Sequence, residues 1–530
     1  MTEPLMKLVS AILKEFYGEV VEKVGSFLVR KNWTPFRVLV VETKLKPTQV
    51  KRALVVLIQQ NIAKFEVQAK SNSVEYSASY RSVLHRLCYP QYVYAAKTLY
   101  GDAGELIVEE MLHYGQVTMS SCLERVSERV KDSTNGESVT SSTVREKFYV
   151  LARTHFIQRC PATVLFQIGT PAPEMALDEE MMYVVPNIDT TRLGGLKEAG
   201  QEPPAKRHKG DEFNDDKKIY WRLNFARFHQ HLRDQAIISA VSNKIDKKGG
   251  EVMRTFLRIN ELHSINNKAA ISVQIDANEV YKTIPKEFII GRHMMEQYLV
   301  LLSSESTRFV EKIGDSGGGT YHINIKSIVS KLCEAHIESV VLERFGSKCL
   351  RIFRLLLLKK HLEQKQIEEF AMIPAKETKE LLYRMFEEQF VTITEVPRTP
   401  DHAPSRTFYL FSVNMNIVVR MVLAMAYKTV YNLMVRRQHE TNEHKRLLDK
   451  HQRVEAIAAT LEQSGADPAQ REEIEEMITP AEKSQLQKVK HMTRQLEQSE
   501  IQLIDTIFML ETYLEYTDIP KVVKPKAPAF

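Results

Sequence analysis

The sequence predicts a mostly α-helical chain with small β-hairpins: four tandem, extended winged-helix domains followed by an antiparallel coiled-coil helical hairpin. Three observations predict it. An order of helices followed by a β-hairpin recurs four times before residue 414. After 414 the hairpins stop, and two long helical patterns take over. Glycine is scarce, at 20 of 530 residues, which weighs against a barrel or a β-rich enzyme.

The first unit covers 1–85. "LMKLVSAILKEFYG" and "EVVEKVGSFLVRKN" carry apolar residues at helical spacing. "TPFRVLVVETKL" reads as a short helix or a strand leading into one. "KPTQVKRALVVLIQQNIAKF" opens on Pro47 and Thr48, which favour a helix start, and places Val50, Leu54, Leu57 and Ile58 on one face. It runs into "KFEVQAK", a polar "SNS" turn and "VEYSAS", the appended strand pair. The second unit, 86–188, repeats the order with "AGELIVEEMLHYG", "TMSSCLERVSERV" and "SSTVREKFYVLARTHFIQRC", and "MMYVVP" is expected to close it.

Residues 189–218 are rich in Gly and Pro, charged and nearly free of large apolar groups, so they read as a flexible linker. They contain "KRHK", whose Lys206, Arg207 and Lys209 are candidates for a nuclear-import signal.

The third unit, 219–328, starts at "IYWRLNFARFHQHL" and ends on "IGDSGGGTYHIN". That motif resembles the nucleophile site of trypsin-like proteases. A serine hydroxyl is a poor nucleophile without a histidine base and an orienting carboxylate. The upstream histidines His229, His231 and His293 stand in helical contexts. Gly317, Gly318 and Gly319 instead suit a tight turn between the strands "RFVEKI" and "TYHINI", so Ser316 is expected at a wing tip. The fourth unit, 329–414, runs through "HIESVVLERFGSKCLRIFRLLLLKKH", "EQKQIEEFAMIP" and "AKETKELLYRMFEEQFVTITEV" to the strand "TFYLFSV". The loop between those strands holds "TPDHAP"; prolines stiffening a wing explain it better than an Asp401/His402 acid–base pair. Spacing between copies is uneven, so this is a string of domains and not a solenoid. Two long helices joined near Gly465 and Pro468 form the hairpin, 415–516, with apolar residues at three-and-four spacing. A stripe of Val418, Met421 and Met425 exceeds one coiled-coil seam and asks for cover from a partner. Residues 517–530 read as a disordered tail.

Composition narrows the function. Five scattered cysteines form no CxxC pair, and Cys333 with His336 makes a lone CxxH, so no zinc site and a reducing compartment are expected. No apolar run of membrane-spanning length is evident, and a soluble intracellular protein is expected. Net charge is +6 overall. Residues 1–90 hold 14 Lys/Arg against 7 Asp/Glu, whereas 436–515 hold 11 against 16. One end suits phosphates and the other basic partners. Lys46, Lys51, Arg52, Lys64 and Lys70 cluster around the third helix and wing of the first unit, making them the nucleic-acid-binding candidates. Phe65, Tyr76 and Tyr80 are candidates for base stacking. The acidic third helix of the fourth unit, with Glu377, Glu380, Glu387 and Glu388, would repel phosphate. A stand-alone sequence-specific regulator is the alternative reading.

"KTLYGDAGELIVEEML", "RFHQHLRDQAI", "ERFGSKCLRIFRLLLLKKHLEQKQIEEFAMIPAKE", "RTPDHAPSRTFYL", "QRVEAI" and "EIEEMIT" resemble stretches of one family, the third-largest subunit of RNA polymerase III, over about residues 1–515. The resemblance implies a non-catalytic nuclear subunit with no cofactor. It implies a heterotrimer with a second winged-helix subunit and an acidic-tailed one, docked on the polymerase clamp. It further implies recruitment to a promoter-bound initiation factor, DNA opening, single-stranded DNA binding and a role of the complex in sensing foreign DNA.

Overall fold

The computed structural model describes residues 2–67, 73–133, 141–163, 175–176, 180–186, 216, 219–263, 269–288, 290–304, 308–398, 406–464 and 478–518. Two compact units divide the chain, Met1–His231 and Leu232–Phe530.

In the first compact unit, α1 (Glu3–Tyr17) and α2 (Glu19–Lys31) are followed by β1 (Thr34–Pro35), α3 (Phe36–Thr43), α4 (Pro47–Gln59), β2 (Ala63–Val67) and β3 (Val74–Ala78). The strands pair in the order β1-β3-β2, all antiparallel. Three helices and this small sheet make a winged helix, with α1 as the extension. Its core is the inward stripes of the helices: Leu8, Ile12, Val24, Leu28, Val50 and Leu57 are fully buried. Each contributes about 1.5–3 kcal/mol by leaving water.

A short helix, α5 (Tyr80–Leu84), and a 3-10 turn lead to the second winged helix. It comprises α6 (Tyr89–Tyr100), α7 (Asp102–Tyr114), β4 (Val117–Thr118), α8 (Met119–Ser133), α9 (Ser141–Arg153) and β5 (Ile157–Arg159); a two-stranded sheet of β6 (Ala162–Thr163) and β7 (Met175–Ala176) follows. Its third sheet strand is β8 (Tyr220–Leu223), which pairs with both β4 and β5. This corrects the sequence reading twice. Met181–Tyr183 of "MMYVVP" form a turn, not the closing strand. The boundary drawn at 219 also cuts β8 from the sheet it completes, since β8 pairs with both β4 and β5. Trp221 of β8 is fully buried and meets Phe148 edge-on at 5.4 Å, which explains why this strand belongs there. Asp216 anchors the end of the insertion, accepting from the Ser120 backbone N–H at 2.7 Å and its hydroxyl at 2.8 Å. The KRHK run lies outside the described residues.

A helix α10 (Phe225–Lys244) opens the next module, with α11 (Lys247–His263), β9 (Ile275–Asp276), α12 (Ala277–Thr283), α13 (Arg292–Ser303), β10 (Val310–Gly314) and β11 (Thr320–Ile323). The fourth winged helix has α14 (Ile325–Phe345) as its extension. It continues with α15 (Ser347–Lys359), β12 (Leu362–Glu363), α16 (Gln364–Ala371), α17 (Ala375–Glu387), β13 (Thr392–Pro397) and β14 (Thr407–Ser412). Their sheets run β10-β11-β9 and β12-β14-β13.

Units one and four share a spacing that their sequences hide. Left-handed residues fall at Gly18, Asn32, Lys44 and Asn61 in the first, and at Gly346, Lys360, Met372 and Gln389 in the fourth. The intervals are 14, 12 and 17 residues in both. Each is a helix exit, where a positive φ reverses the chain. Gly101 and Gly115 keep the first interval in unit two. An aromatic residue precedes each junction glycine, Tyr17, Tyr100 and Phe345, a signal present in the sequence but overlooked.

The chain ends in α18 (Met415–Glu443), α19 (Lys445–Ser464) and α20 (Pro480–Thr517). α20 starts on a capping box in which Thr479 and Glu482 satisfy each other's backbone N–H groups. Cross-pairs Arg437–Glu500 (3.1 Å), Lys450–Glu482 (2.8 Å) and Tyr427–Glu511 fix the antiparallel register. α18 is long and apolar enough to cross a membrane by length and composition, contrary to the sequence reading. Its apolarity has a local cause: Val418, Val422, Ala426 and Val430 are buried, and α20 and α14 pack along it. The same packing answers the cover expected from a partner. Val418 is buried by this chain and Met421 and Met425 are half-buried. Near the base of the hairpin, buried Arg233 of α10 donates to Tyr516 of α20 at 2.5 Å and pairs with Asp234 at 2.7 Å.

Candidate nucleic-acid interface

α4 presents Thr48, Lys51, Arg52, Val55 and Gln59 outward while Val50, Ala53, Leu54 and Leu57 face the core. The split follows from helical periodicity: the exposed set recurs every three or four residues. Pro47 at the first turn and the Lys46 backbone N–H, which donates to Gln49 Oε1 at 3.2 Å, start the helix, so Lys46 stands at its N-terminal end. Lys44 occupies the left-handed exit of α3 at φ 54°. Lys44, Lys46, Lys51 and Arg52 are exposed, and among the described residues none is in an ion pair. Lys51 lies 5.9 Å from the Phe36 ring centroid, which steadies its stem. Lys44, in the turn that precedes this helix, was not among the candidates read from the sequence.

The wing divides the other candidates. Burial alternates along β2, so Phe65 faces inward and Lys64 outward beside Glu66. Glu66 pairs across the ladder with Glu75, and Lys64, two residues along the same face of β2, stands opposite Ser77. Lys70 lies outside the described residues. Phe65 and Tyr76 are cross-strand partners, both half-buried, and burial raises the Tyr76 phenol above its ordinary pKa. Tyr80 is also half-buried.

The matched spacing lets α17 be compared with α4 position by position. Where unit one has Lys44, Lys46, Arg52, Val55 and Gln59, unit four has Met372, Pro374, Glu380, Tyr383 and Glu387. The outer face changes from four cations without an acid to Lys376 and Lys379 balanced by Glu380 and Glu387. Glu377 and Glu388, expected to repel phosphate, are already neutralised by Lys348 and Arg344, each at 2.5 Å. Tyr383 and Phe386 are 49% and 43% exposed, which makes this an apolar face. α13 of unit three is likewise apolar, with Met294, Val300 and Leu301 exposed and Arg292 bonded to Asn278 at 3.1 Å.

The wing of unit three is closed down. Ser316–Gly318 form the tip between β10 and β11, with Gly317, Gly318 and Gly319 at φ 62°, 84° and 110°. The Ser316 hydroxyl pairs with Thr320 at 2.9 Å, and Thr320 donates to Asp276 at 3.2 Å. Its hydroxyl partner is thus another hydroxyl and not a histidine. His322 pairs instead with Glu311, at 3.1 Å. Burial pushes the Cys122 and Cys333 thiols up to about 12 and Cys160 to about 11, so none is a ready thiolate. Among the described residues, Glu440, Glu443 and His444 bring three potential metal donors together, but Arg436 already neutralises Glu440. Asp401 and His402 lie outside the described residues.

The first two winged helices are docked corner to corner. Gln60 Nε2 donates to the His113 carbonyl at 2.8 Å, Gln116 Nε2 to Asn61 Oδ1 at 2.9 Å, and Arg86 Nη2 to the Gln60 carbonyl at 2.9 Å. Gly115, at φ 77°, lies so close that a Cβ there would stand 2.4 Å from the Gln59 carbonyl oxygen.

Fold and surface together define a class: a tandem winged-helix protein whose modules differ in their outer faces, one cationic and others charge-balanced with exposed apolar residues, closed by a helical hairpin. Family descriptions match along most of it. They are an RNA polymerase III subunit RPC82 helix-turn-helix domain (7–68), RNA polymerase III subunit RPC82 (172–332), a POLR3C C-terminal winged-helix domain (337–413) and an RPC3 helical hairpin domain (446–509). The chain is 46% identical to DNA-directed RNA polymerase III subunit RPC3 of Homo sapiens, over 98% of this chain and 99% of that one. It is 45% identical to that of Danio rerio over the same shares. With Dictyostelium discoideum rpc3 it shares 28% identity over 44% of this chain and 37% of the other. The chain belongs to the RPC3 family of RNA polymerase III subunits.

Proposed function

We propose that this subunit has no active site of its own and serves promoter recruitment, DNA opening and initiation by RNA polymerase III in the nucleus. In that reading it joins a second winged-helix subunit and an acidic-tailed subunit on the polymerase clamp and meets a promoter-bound initiation factor. Its first winged helix holds nucleic-acid phosphates without selecting bases. One observation carries this last assignment: the outer face of α4 and its flanking turn present Lys44, Lys46, Lys51 and Arg52 with no acidic partner among the described residues. Such cations bind by releasing counterions, and nothing in their chemistry reads a base edge. Phe65 faces inward and Tyr76 is its cross-strand partner, so of the three stacking candidates half-buried Tyr80 is the one left to favour single strands. A role in sensing foreign DNA would use this same non-selective contact. The apolar faces of α13 and α17 suit protein neighbours within the polymerase.

The test is Lys51→Glu with Arg52→Glu in the full chain. Losing two phosphate contacts should lower the slope of log affinity against log salt by roughly 1.4 on single strands. An unchanged affinity and slope would assign the basic face to protein contact. Affinity purification of the tagged chain should recover polymerase subunits; a sequence-specific footprint of the isolated chain would favour the stand-alone regulator.

A further inference from the structure

The hairpin is not uniformly acidic, as its overall composition suggests. Its antiparallel register sorts the charges. The near part, 434–444 with 495–518, holds two Lys/Arg and eight Asp/Glu. The far part, 445–455 with 482–494, holds eight Lys/Arg and three Asp/Glu. These far segments face each other, as Lys450–Glu482 (2.8 Å) and Lys490–Glu455 (3.9 Å) show.

In the near part, carboxylates meet internal partners: Glu500 with Arg437, Glu511 with Tyr427, Glu440 with Arg436. In the far part, six cations are left over. Lys445, Arg446, Arg453, Lys483, Lys488 and Arg494 are all exposed, and among the described residues none is in an ion pair. Arg446 and Arg453 lie on one stripe of α19, seven residues and about 10 Å apart along the axis. Lys483 and Arg494 share a stripe of α20 about 16 Å long. Like charges held this close repel one another, so the surface gains most from a polyanion.

We propose that the far half of the hairpin is a second nucleic-acid surface, binding the phosphate backbone independently of α4. A duplex presents one charge per about 1.7 Å of axis, so a 16 Å track meets several phosphates. No Phe, Tyr or Trp occurs in 445–464 or 480–507. The surface therefore lacks a stacking platform and takes duplex and single strands alike, without base selection.

The test uses the full chain, a duplex of about 20 base pairs and its single strand, titrated across salt. Four forms are compared: wild type, Lys51→Glu with Arg52→Glu, the triple variant Arg453→Glu, Lys488→Glu and Arg494→Glu, and all five changes together. The triple variant should lower the salt slope by about 2–3 on both probes, and the combined variant by the sum of the two effects. Glutamine at the same three positions should give a smaller loss without charge reversal. The assay is repeated with Asp467, Glu472, Glu473, Glu475 and Glu476 neutralised, which removes the acidic run between the two segments in sequence. Wild-type slopes for the triple variant in both backgrounds overturn the proposal, while the α4 reading stands or falls on its own variant. Loss of polyglutamate binding with nucleic-acid binding intact also overturns it and assigns the surface to an acidic protein.

Discussion

Replacing Gly115 with alanine should separate the first two winged helices without unfolding either. The residue sits at φ 77° and ψ −53°, a region strained for any residue with a Cβ. That conformation alone costs about 1–2 kcal/mol. The added methyl would also stand 2.4 Å from the Gln59 carbonyl oxygen and 2.9 Å from the Gln60 Cα. These are backbone atoms, so no rotamer change relieves the contact. The corner must open, and opening breaks the Gln60–His113, Gln116–Asn61 and Arg86–Gln60 hydrogen bonds. At about 1 kcal/mol net each, the local loss totals about 4–5 kcal/mol. Hydrogen exchange reads it directly: amides at 59–61 and 113–116 should exchange faster by at least a hundredfold, while those inside α2 and α7 keep their protection. Wild-type protection at the corner would refute the reasoning, because it would mean the two modules do not rely on this close approach.

Ser316→Ala should change stability by less than about 0.5 kcal/mol, and Ser316 should not react with a fluorophosphonate probe. Gly317→Val should cost more, since a β-branched residue resists φ 62° and its Cβ would stand 2.9 Å from the Asp276 carboxyl carbon; denaturant titration checks both. Arg233→Met should destabilise the second compact unit by about 3–5 kcal/mol, because the buried ion pair with Asp234 and the bond to Tyr516 are both lost, whereas Tyr516→Phe should cost only about 1.5–3 kcal/mol. Burial, with His229 and the guanidiniums of Arg86 and Arg81, holds His85 down to about 3 from its ordinary 6.5. The unfolded chain therefore binds the proton first, and the first compact unit should lose stability as pH falls from 6.5 toward 3. His85→Phe should flatten that dependence in chemical denaturation at pH values on either side of the window.

The sequence by itself determined the helices, the small hairpins and their repeated order, because periodicity and turn residues act over a few positions. It placed the GDSGGG turn, the Pro47 helix start and the basic character of α4 for the same reason. Assignment of β8 to the second unit needed the tertiary structure. A four-residue strand separated from β5 by some sixty residues has no local mark of its partner, and only burial of Trp221 beside Phe148 fixes it. Lys64 was grouped with Lys51 by nearness in sequence, and the pleat puts it on the same face of β2 as Glu66. The charge of the hairpin shows the same division. Composition averages over the whole stretch, whereas antiparallel pairing brings two basic segments together in its far half and leaves the acidic excess of 495–518 in its near half, a sum over residues distant in sequence that no local pattern contains.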